Sequence, residues 1–156
     1  AVPGVVSVDS GYTGGPEQGP SYRAVSMGQT GHFEAIRVVY DPQRVTYSTL
    51  LAVFWKNIDP TQADGQFCDR GDQYRSAVFV AESTEHQAAT ASKEESAKTL
   101  GRPVVTPILP AQTFWMAEDY HQDFYKKNPE RYQRYRAGCG RDRRLKQLWG
   151  KVAGGH

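Results

Sequence analysis

Alternation of apolar and polar residues predicts two strands near the start of the chain. Residues 5–12 (Val-Val-Ser-Val-Asp-Ser-Gly-Tyr) change character from one residue to the next, and residues 33–40 (Phe-Glu-Ala-Ile-Arg-Val-Val-Tyr) are rich in β-branched and aromatic side chains. Both patterns are typical of strands. The glycine-, proline- and serine-rich residues 16–31 predict a long ordered loop between them. A loop of that length in a small domain is usually functional or disordered.

Helical spacing and capping residues predict the elements that follow. Thr46 is expected to cap the first helix, and Thr84 with Gln87 is expected to form a capping box for the second helix, which Gly101 ends. Residues 59–73 predict another long loop. The predicted order after the two strands is a helix at 46–57, a strand at 74–81, a helix at 84–100, an extended segment at 103–109, a helix at 117–128 and a short helix at 145–149.

This order indicates an α+β fold in a single domain. Two strands, a helix, a strand, a helix and a strand favour helices packed on one side of a mixed sheet. If one more strand and helix preceded them, the pattern would be that of a ferredoxin-like domain. We predict one domain over residues 1–156, with residues 130–156 as a long, coil-rich tail.

Composition and charge exclude two broad classes of function. Hydrophobic residues make up 38% and charged residues 23%, as in ordinary globular proteins, and the chain contains no run of eighteen apolar residues that would span a membrane. A net charge of +2 is too small to favour nucleic-acid binding. The late basic residues are expected to form a solvated face: Arg131, Arg134, Arg136, Arg141, Arg143, Arg144 and Lys146.

The two cysteines, Cys68 and Cys139, are too few for a disulfide framework. A structural bridge between them is one possibility, but reduced thiols in the cytoplasm or redox chemistry suit a domain of this size better. No Cys-x-x-Cys motif and no zinc-ligand spacing of His and Cys occurs, so no metal is expected.

Short motifs in a fixed order resemble the A-type peptide methionine sulfoxide reductases. The resemblance covers residues 1 to about 130, and the tail from Tyr132 matches the family more loosely. The motifs are Gly11-Tyr12-Thr13-Gly14-Gly15, Thr30-Gly31-His32-Phe33-Glu34-Ala35, Val39-Tyr40-Asp41-Pro42, Phe54-Trp55, Asp59-Pro60-Thr61-Gln62, residues 69–76 (Asp-Arg-Gly-Asp-Gln-Tyr-Arg-Ser), residues 117–122 (Ala-Glu-Asp-Tyr-His-Gln) and Lys127-Asn128-Pro129.

The resemblance implies thiol-dependent reduction of the S epimer of methionine sulfoxide, and with it the repair of oxidised proteins. In this family a cysteine thiolate attacks the sulfoxide sulfur and becomes a sulfenic acid. A second cysteine then forms a disulfide, which thioredoxin or dithiothreitol reduces. The expected partners are oxidised proteins or peptides and thioredoxin, without cofactor, nucleic acid or membrane.

Five residues of this chain match the family's site. Glu34 is the implied general acid, a role that requires a raised pKa, and its position in a strand between Phe33 and Ala35 suggested burial. Tyr12 and Tyr74 are the implied neutral donors to the sulfoxide oxygen. Asp69 is implied to hold the site together, and His121 to line it.

Each of these residues also has an ordinary structural interpretation. Glu34 could be an exposed strand residue, and the two tyrosines could be core or rim aromatics. Asp69 could be a turn residue, and His121 could simply be packed or solvent-facing.

The family's Gly-Cys-Phe-Trp signature, which carries the nucleophile, is not among the 156 residues. We expect it on a strand–helix unit before Ala1, and we expect the chain as written to have negligible turnover. The alternative is a non-catalytic pseudoenzyme or fragment that binds methionine sulfoxide. Cys68 lies beside Asp69, whose charge disfavours a thiolate, so it is expected to be a buried or loop cysteine. Cys139 lies between two glycines and is the expected resolving thiol, with an unpaired surface thiol as the alternative.

Overall fold

In the computed structural model, strands and helices are interspersed along residues 2–122 and 124–150, which are the residues that the structure describes. The strands are β1 (Val5–Thr13), β2 (Phe33–Tyr40), β3 (Gly65–Gln66), β4 (Asp69–Arg70), β5 (Val78–Val80), β6 (Ile108–Pro110) and β7 (Trp115–Met116). The helices are α1 (Tyr22–Ser26), α2 (Tyr47–Lys56), α3 (Ser83–Leu100), α4 (Phe124–Lys127), α5 (Pro129–Gly138) and α6 (Arg141–Trp149). The predicted α+β class is confirmed.

The strands form three small sheets. β1 is the centre of an antiparallel sheet with the order β2-β1-β7, β5 and β6 pair in parallel, and β3 and β4 form a short hairpin. The predicted mixture of strand directions is therefore present, but it is divided among separate sheets. The first two sheets meet where the rings of Phe33 and Phe79 contact edge to face, with centroids 5.4 Å apart.

The main core lies between α2, α3 and α6. Trp55 of α2 and Leu145 of α6 are each about 1% exposed, and Ala89 of α3 is fully buried. The indole N–H of Trp55 donates to the Ser92 hydroxyl at 2.8 Å, so burial of the large ring leaves no polar group without a partner. The α2–α3 pair forms the platform on which the C-terminal helix packs.

Capping confirms one predicted helix start and corrects the other. The Thr46 hydroxyl accepts the backbone N–H of Thr49 at 3.1 Å, as predicted. The predicted Thr84–Gln87 box is wrong, because the chain becomes helical earlier: the Glu85 carboxylate accepts the backbone N–H of Glu82 at 3.2 Å. Gly101 ends the helix with a φ of +65°, as predicted, in a left-handed conformation that favours glycine.

The C-terminal part of the chain is helical, which corrects the prediction of a coil-rich tail. The short helix predicted at 145–149 is confirmed within α6, and α5 precedes it. The helix predicted at 117–128 is instead a 3₁₀ turn (Asp119–His121) and α4, and residue 123 lies outside the described residues.

Two other predictions need a smaller change. The predicted 16–31 loop contains α1, which begins because the Ser21 hydroxyl accepts the backbone N–H of Ala24 at 3.1 Å. The strand predicted at 74–81 is shorter, because a 3₁₀ turn at Asp72–Tyr74 precedes β5. No helix among the described residues is long and apolar enough to cross a membrane.

Candidate active site

Three of the predicted site residues lie together although they come from separate elements. Glu34 lies at the start of β2, Asp69 begins β4, and Tyr74 ends the 3₁₀ turn that follows. Gly65 permits the tight hairpin that presents Asp69, because a Cβ at that position would lie 2.0 Å from the Asp69 carbonyl oxygen. The fold therefore brings two carboxyl groups and a phenol to one place.

Glu34 has the protonation behaviour that a general acid requires. Partial burial, together with the nearby negative charge of Asp69, raises the pKa of Glu34 to about 7. Near neutral pH a substantial fraction of this carboxyl group is therefore protonated and able to donate.

The predicted burial of Glu34 is only partial, because part of the residue is exposed at the surface of the sheet. The apolar neighbours Phe33 and Ala35 favour burial only if all three side chains share one face. In a strand, however, adjacent side chains point to opposite faces. Phe33 is buried and Glu34 is exposed, as this alternation requires.

Tyr74 and Tyr12 both lie near Glu34, in different surroundings. Burial, the charge of Glu34 and the proximity of Tyr22 raise the pKa of the half-buried Tyr74 phenol, so it remains a neutral donor. Tyr12 is the cross-strand partner of Glu34 and is 2% exposed. Burial and the charge of Glu118 also raise the pKa of Tyr12. Among the described residues, the Tyr12 hydroxyl has no hydrogen-bond partner.

His121 lies in an aromatic group beside these residues. Its ring is 4.0 Å from that of Tyr22 and 4.2 Å from that of Tyr120, measured between centroids. Glu118 holds this group together, because its carboxylate accepts the backbone N–H of Tyr22 and the hydroxyl of Tyr120, each at 3.1 Å. The structure therefore places His121 against Tyr22 and Tyr120.

Cys68 and Cys139 form a disulfide bond, and their Cα atoms are 5.2 Å apart. This corrects the alternative that Cys139 is an unpaired surface thiol. Cys68 is an exposed residue in the β3–β4 turn, so it is a loop cysteine and not a buried one. The bond attaches the junction between α5 and α6 to the residue that immediately precedes Asp69.

Tyr135 is a residue of this region that the sequence did not indicate. Its hydroxyl donates a hydrogen bond to the Asp69 carboxylate. Burial, this bond and the nearby charge of Asp69 raise the pKa of Tyr135, and Tyr74 and Glu34 add to the effect. Tyr135 lies four residues before Cys139 and therefore on the same helical face. Pairing Cys139 with Cys68, the neighbour of Asp69, could have indicated that Tyr135 lies near Asp69.

Tyr22 was also missed among the nine tyrosines of the chain. Ser21, a preferred helix-capping residue, could have indicated that a short helix begins there and presents Tyr22.

Two late arginines correct the prediction of a solvated basic face. Arg144 pairs with Asp59 at 2.9 Å, and Arg141 donates to the Asn57 carbonyl oxygen at 2.5 Å. Both therefore fasten α6 to the body of the protein.

A carboxyl group with a raised pKa, neutral phenols and a disulfide bond in one region define a class of protein. Such a site can protonate an oxygen atom while electrons come from thiols, which is the chemistry of a thiol-dependent oxidoreductase.

Comparison with known proteins identifies the family. The family described as Peptide methionine sulfoxide reductase matches residues 1–153. The peptide methionine sulfoxide reductase MsrA 2 of Caulobacter vibrioides is 53% identical over 150 residues, which are 96% of this chain and 76% of that protein. MsrA of Bacillus subtilis is 47% identical over 150 residues, 95% of this chain and 85% of that protein.

Solved structures agree. Methionine sulfoxide reductase A of Corynebacterium diphtheriae superposes with a TM-score of 0.78 at 38% identity, over 82% of this chain and 66% of that chain. Reduced Mxr1 of Saccharomyces cerevisiae gives the same TM-score, 0.78, at 33% identity, over 81% and 74% of the two chains. The chain belongs to the peptide methionine sulfoxide reductase family, of the A type, which reduces methionine sulfoxide in the repair of oxidised proteins.

Proposed function

We propose that this chain provides the acid and the neutral donors for thiol-dependent reduction of the S epimer of methionine sulfoxide. The observation that carries the proposal is the Glu34 carboxyl group, with a pKa raised to about 7, beside Asp69 and Tyr74. A sulfoxide oxygen gains negative charge as its bond to sulfur weakens, so it needs a proton and uncharged donors at the same place.

The proposed reaction transfers oxygen from the substrate to a thiol. A thiolate attacks the sulfoxide sulfur, Glu34 protonates the oxygen, and the phenols of Tyr74 and Tyr12 donate hydrogen bonds to it. The S–O bond of the substrate breaks and the oxygen passes to the cysteine sulfur, while the sulfur–sulfur bond formed in the attack breaks and releases methionine; the attacking cysteine is then a sulfenic acid. The family signature that carries this cysteine is not among the 156 residues, so the roles assigned here are the acid, the donors and the later thiols.

Cys139 is the proposed resolving cysteine. Its thiol condenses with the sulfenic acid, which forms a disulfide and releases water. Attack by Cys68 on Cys139 then restores the first cysteine and leaves the Cys68–Cys139 disulfide, which thioredoxin, a dithiol, reduces. The bond between these two residues supports this order.

We also propose that the protein acts in the cytoplasm on methionine sulfoxide in oxidised proteins and peptides. Dithiol reductants keep protein disulfides reduced in that compartment.

Turnover of the two epimers by the full-length protein tests the proposal. With dithiothreitol as reductant, a peptide that contains S-methionine sulfoxide is expected to be reduced, and its R epimer is not. Tyr74→Phe is expected to lower kcat/KM about tenfold, as loss of one hydrogen-bond donor predicts. Tyr40→Phe, at the far end of β2, is the matched control with unchanged kcat/KM. Reduction of the R epimer alone would sink the proposal.

A further inference from the structure

We propose that Tyr135 is a further residue of the site, and that the Cys68–Cys139 disulfide decides whether it is there. In the disulfide form, α5 is held against the β3–β4 hairpin with the Tyr135 hydroxyl on Asp69. Reduction of the bond releases α5 and frees Asp69 for substrate. This inference rests on the proposed function only in taking Glu34, Asp69 and Tyr74 as the sulfoxide site.

Two links join the same two short segments. On the hairpin, Cys68 and Asp69 are neighbours in the chain. On α5, Tyr135 and Cys139 are one helical turn apart, and the backbone N–H of Cys139 donates to the Tyr135 carbonyl at 3.0 Å. The disulfide therefore holds the Tyr135 phenol within reach of Asp69, and the hydrogen bond between them follows from the covalent bond beside it.

Apolar burial does little to hold α5 against the hairpin, and the ion pair of Arg136 with Asp142 fastens α5 to α6 and not to the hairpin. No side chain of α5 is buried, and Tyr135 itself is 48% exposed. A cavity of about 70 Å³, lined by both segments, lies between the hairpin and the helix. Residues that enclose it include Phe67 and Asp69 on one side and Tyr132 and Cys139 on the other. Such an incompletely packed contact gains little from apolar burial.

The next helix is held independently of the disulfide. Leu145 is 1% exposed in the main core, and the Trp149 indole N–H donates to the Ile58 carbonyl at 3.2 Å. Arg144 pairs with Asp59 at 2.9 Å. Opening the disulfide therefore leaves α6 in place and confines the movement to α5.

The junction between the two helices suits such a movement. Gly138 and Gly140 flank Cys139, and Gly140 has a φ of +67°, a left-handed conformation that glycine adopts without strain. A Cβ at Gly138 would meet no atom within 4 Å, so the chain there is not enclosed. The junction can absorb a change in the direction of α5 while α6 keeps its contacts.

The consequence is a site that opens when the protein is reduced. In the disulfide form, Tyr135 lies beside Glu34, Asp69 and Tyr74, the residues of the proposed sulfoxide site. A dithiol reductant supplies two electrons and two protons, the S–S bond breaks, and two thiols form. The disulfide form would then bind a new substrate more weakly than the reduced form. Each catalytic cycle would begin only after a reductant has opened the disulfide.

Binding of a peptide that contains methionine sulfone tests this inference, because the sulfone carries oxygen on sulfur but thiols do not reduce it. By calorimetry, the dithiothreitol-reduced full-length protein is expected to bind at least about tenfold more tightly than the disulfide form. Tyr135→Phe in the disulfide form is expected to recover most of that affinity. Gln133→Ala, at an exposed position of the same helix that does not line the cavity, is the matched control and should behave as the wild-type disulfide form.

Hydrogen–deuterium exchange provides a second readout that needs no ligand. Reduction is expected to accelerate exchange in α5 and to leave α6 unchanged. Equal affinities of the two redox forms, or unchanged protection of α5, would overturn the inference. Absence of sulfone binding in both redox forms would count against the proposed function, while exchange in α5 would still decide whether the helix is released.

Discussion

At the scale of single residues, the site depends on one carboxyl group made a weaker acid by its surroundings. Glu34 is not enclosed in an apolar pocket. Partial burial and the charge of Asp69 together raise its pKa to about 7. Asp69 contributes to this shift through its charge, because a nearby negative charge favours the protonated form of Glu34.

Replacement of Tyr12 distinguishes a catalytic role of its hydroxyl from a contribution to stability. Its hydroxyl has no hydrogen-bond partner among the described residues, although the ring is buried. Tyr12→Phe keeps the ring and removes only the hydroxyl, so Tm is expected to stay unchanged. If the hydroxyl donates to the sulfoxide oxygen, kcat/KM falls about tenfold. Thermal unfolding and steady-state kinetics on the same preparation check both parts.

The opposite result for Tyr12→Phe would exclude a catalytic role. A large fall in Tm with unchanged kcat/KM would make Tyr12 a structural residue of the β1 core and remove it from the site.

At the scale of elements, α6 is part of the core and not an appendage. Trp149 and Leu145 complete the apolar cluster formed by α2 and α3. An ion pair fixes the helix at its polar side, where the Arg144 Nε lies 2.9 Å from the Asp59 carboxylate. Burial opposes ionisation of Asp59, but hydrogen bonds from Thr61 and Arg144 outweigh it and hold the pKa of that carboxyl below its usual value.

This pair makes stability depend on pH in the acid range. Because the pKa of Asp59 is depressed in the folded state, its contribution is fully present above the unfolded pKa and is lost as pH falls through the folded pKa. Arg144→Ala is expected to lower the free energy of unfolding by about 3 kcal/mol at pH 7, since it leaves a buried carboxylate without its partner. The loss is expected to shrink below about pH 4. Urea unfolding of the wild type and of Arg144→Ala, at pH 7 and below about pH 4, measures this loss.

Lys146→Ala is the matched control for Arg144, since Lys146 is an exposed residue of the same helix. A cost for Lys146→Ala equal to that for Arg144→Ala would show that α6 is sensitive to any change, and would remove the special role given to the ion pair.

Sequence patterns predicted the elements whose causes are local. β1 and β2 follow from alternation, and the start of α2 follows from the Thr46 cap. The position of α6 does not follow in this way, because it depends on Arg144 meeting Asp59, 85 residues away along the chain. Tyr135 was missed for a related reason, since its role depends on a disulfide that spans 71 residues.

At the scale of the whole molecule, the site exists only because distant segments meet. β2 provides Glu34, the β3–β4 hairpin provides Asp69, and the turn before β5 provides Tyr74. The motifs indicated the first three residues because each lies in a short recognisable segment. They did not indicate the fourth group, Tyr135, which the C-terminal helices bring to the same place.

The central claim is that Glu34, in this assembled setting, is the acid that protonates the sulfoxide oxygen. The most direct test is the pH dependence of kcat/KM for a peptide that contains S-methionine sulfoxide, with the full-length protein and Glu34→Gln. With the pKa of Glu34 at about 7, wild-type kcat/KM is predicted to fall about tenfold per pH unit at pH values above it. Glu34→Gln is predicted to lose that descending limb together with about a hundredfold or more of the activity. A wild-type rate that does not fall between pH 7 and about pH 9, or a Glu34→Gln variant with wild-type activity, would contradict the account.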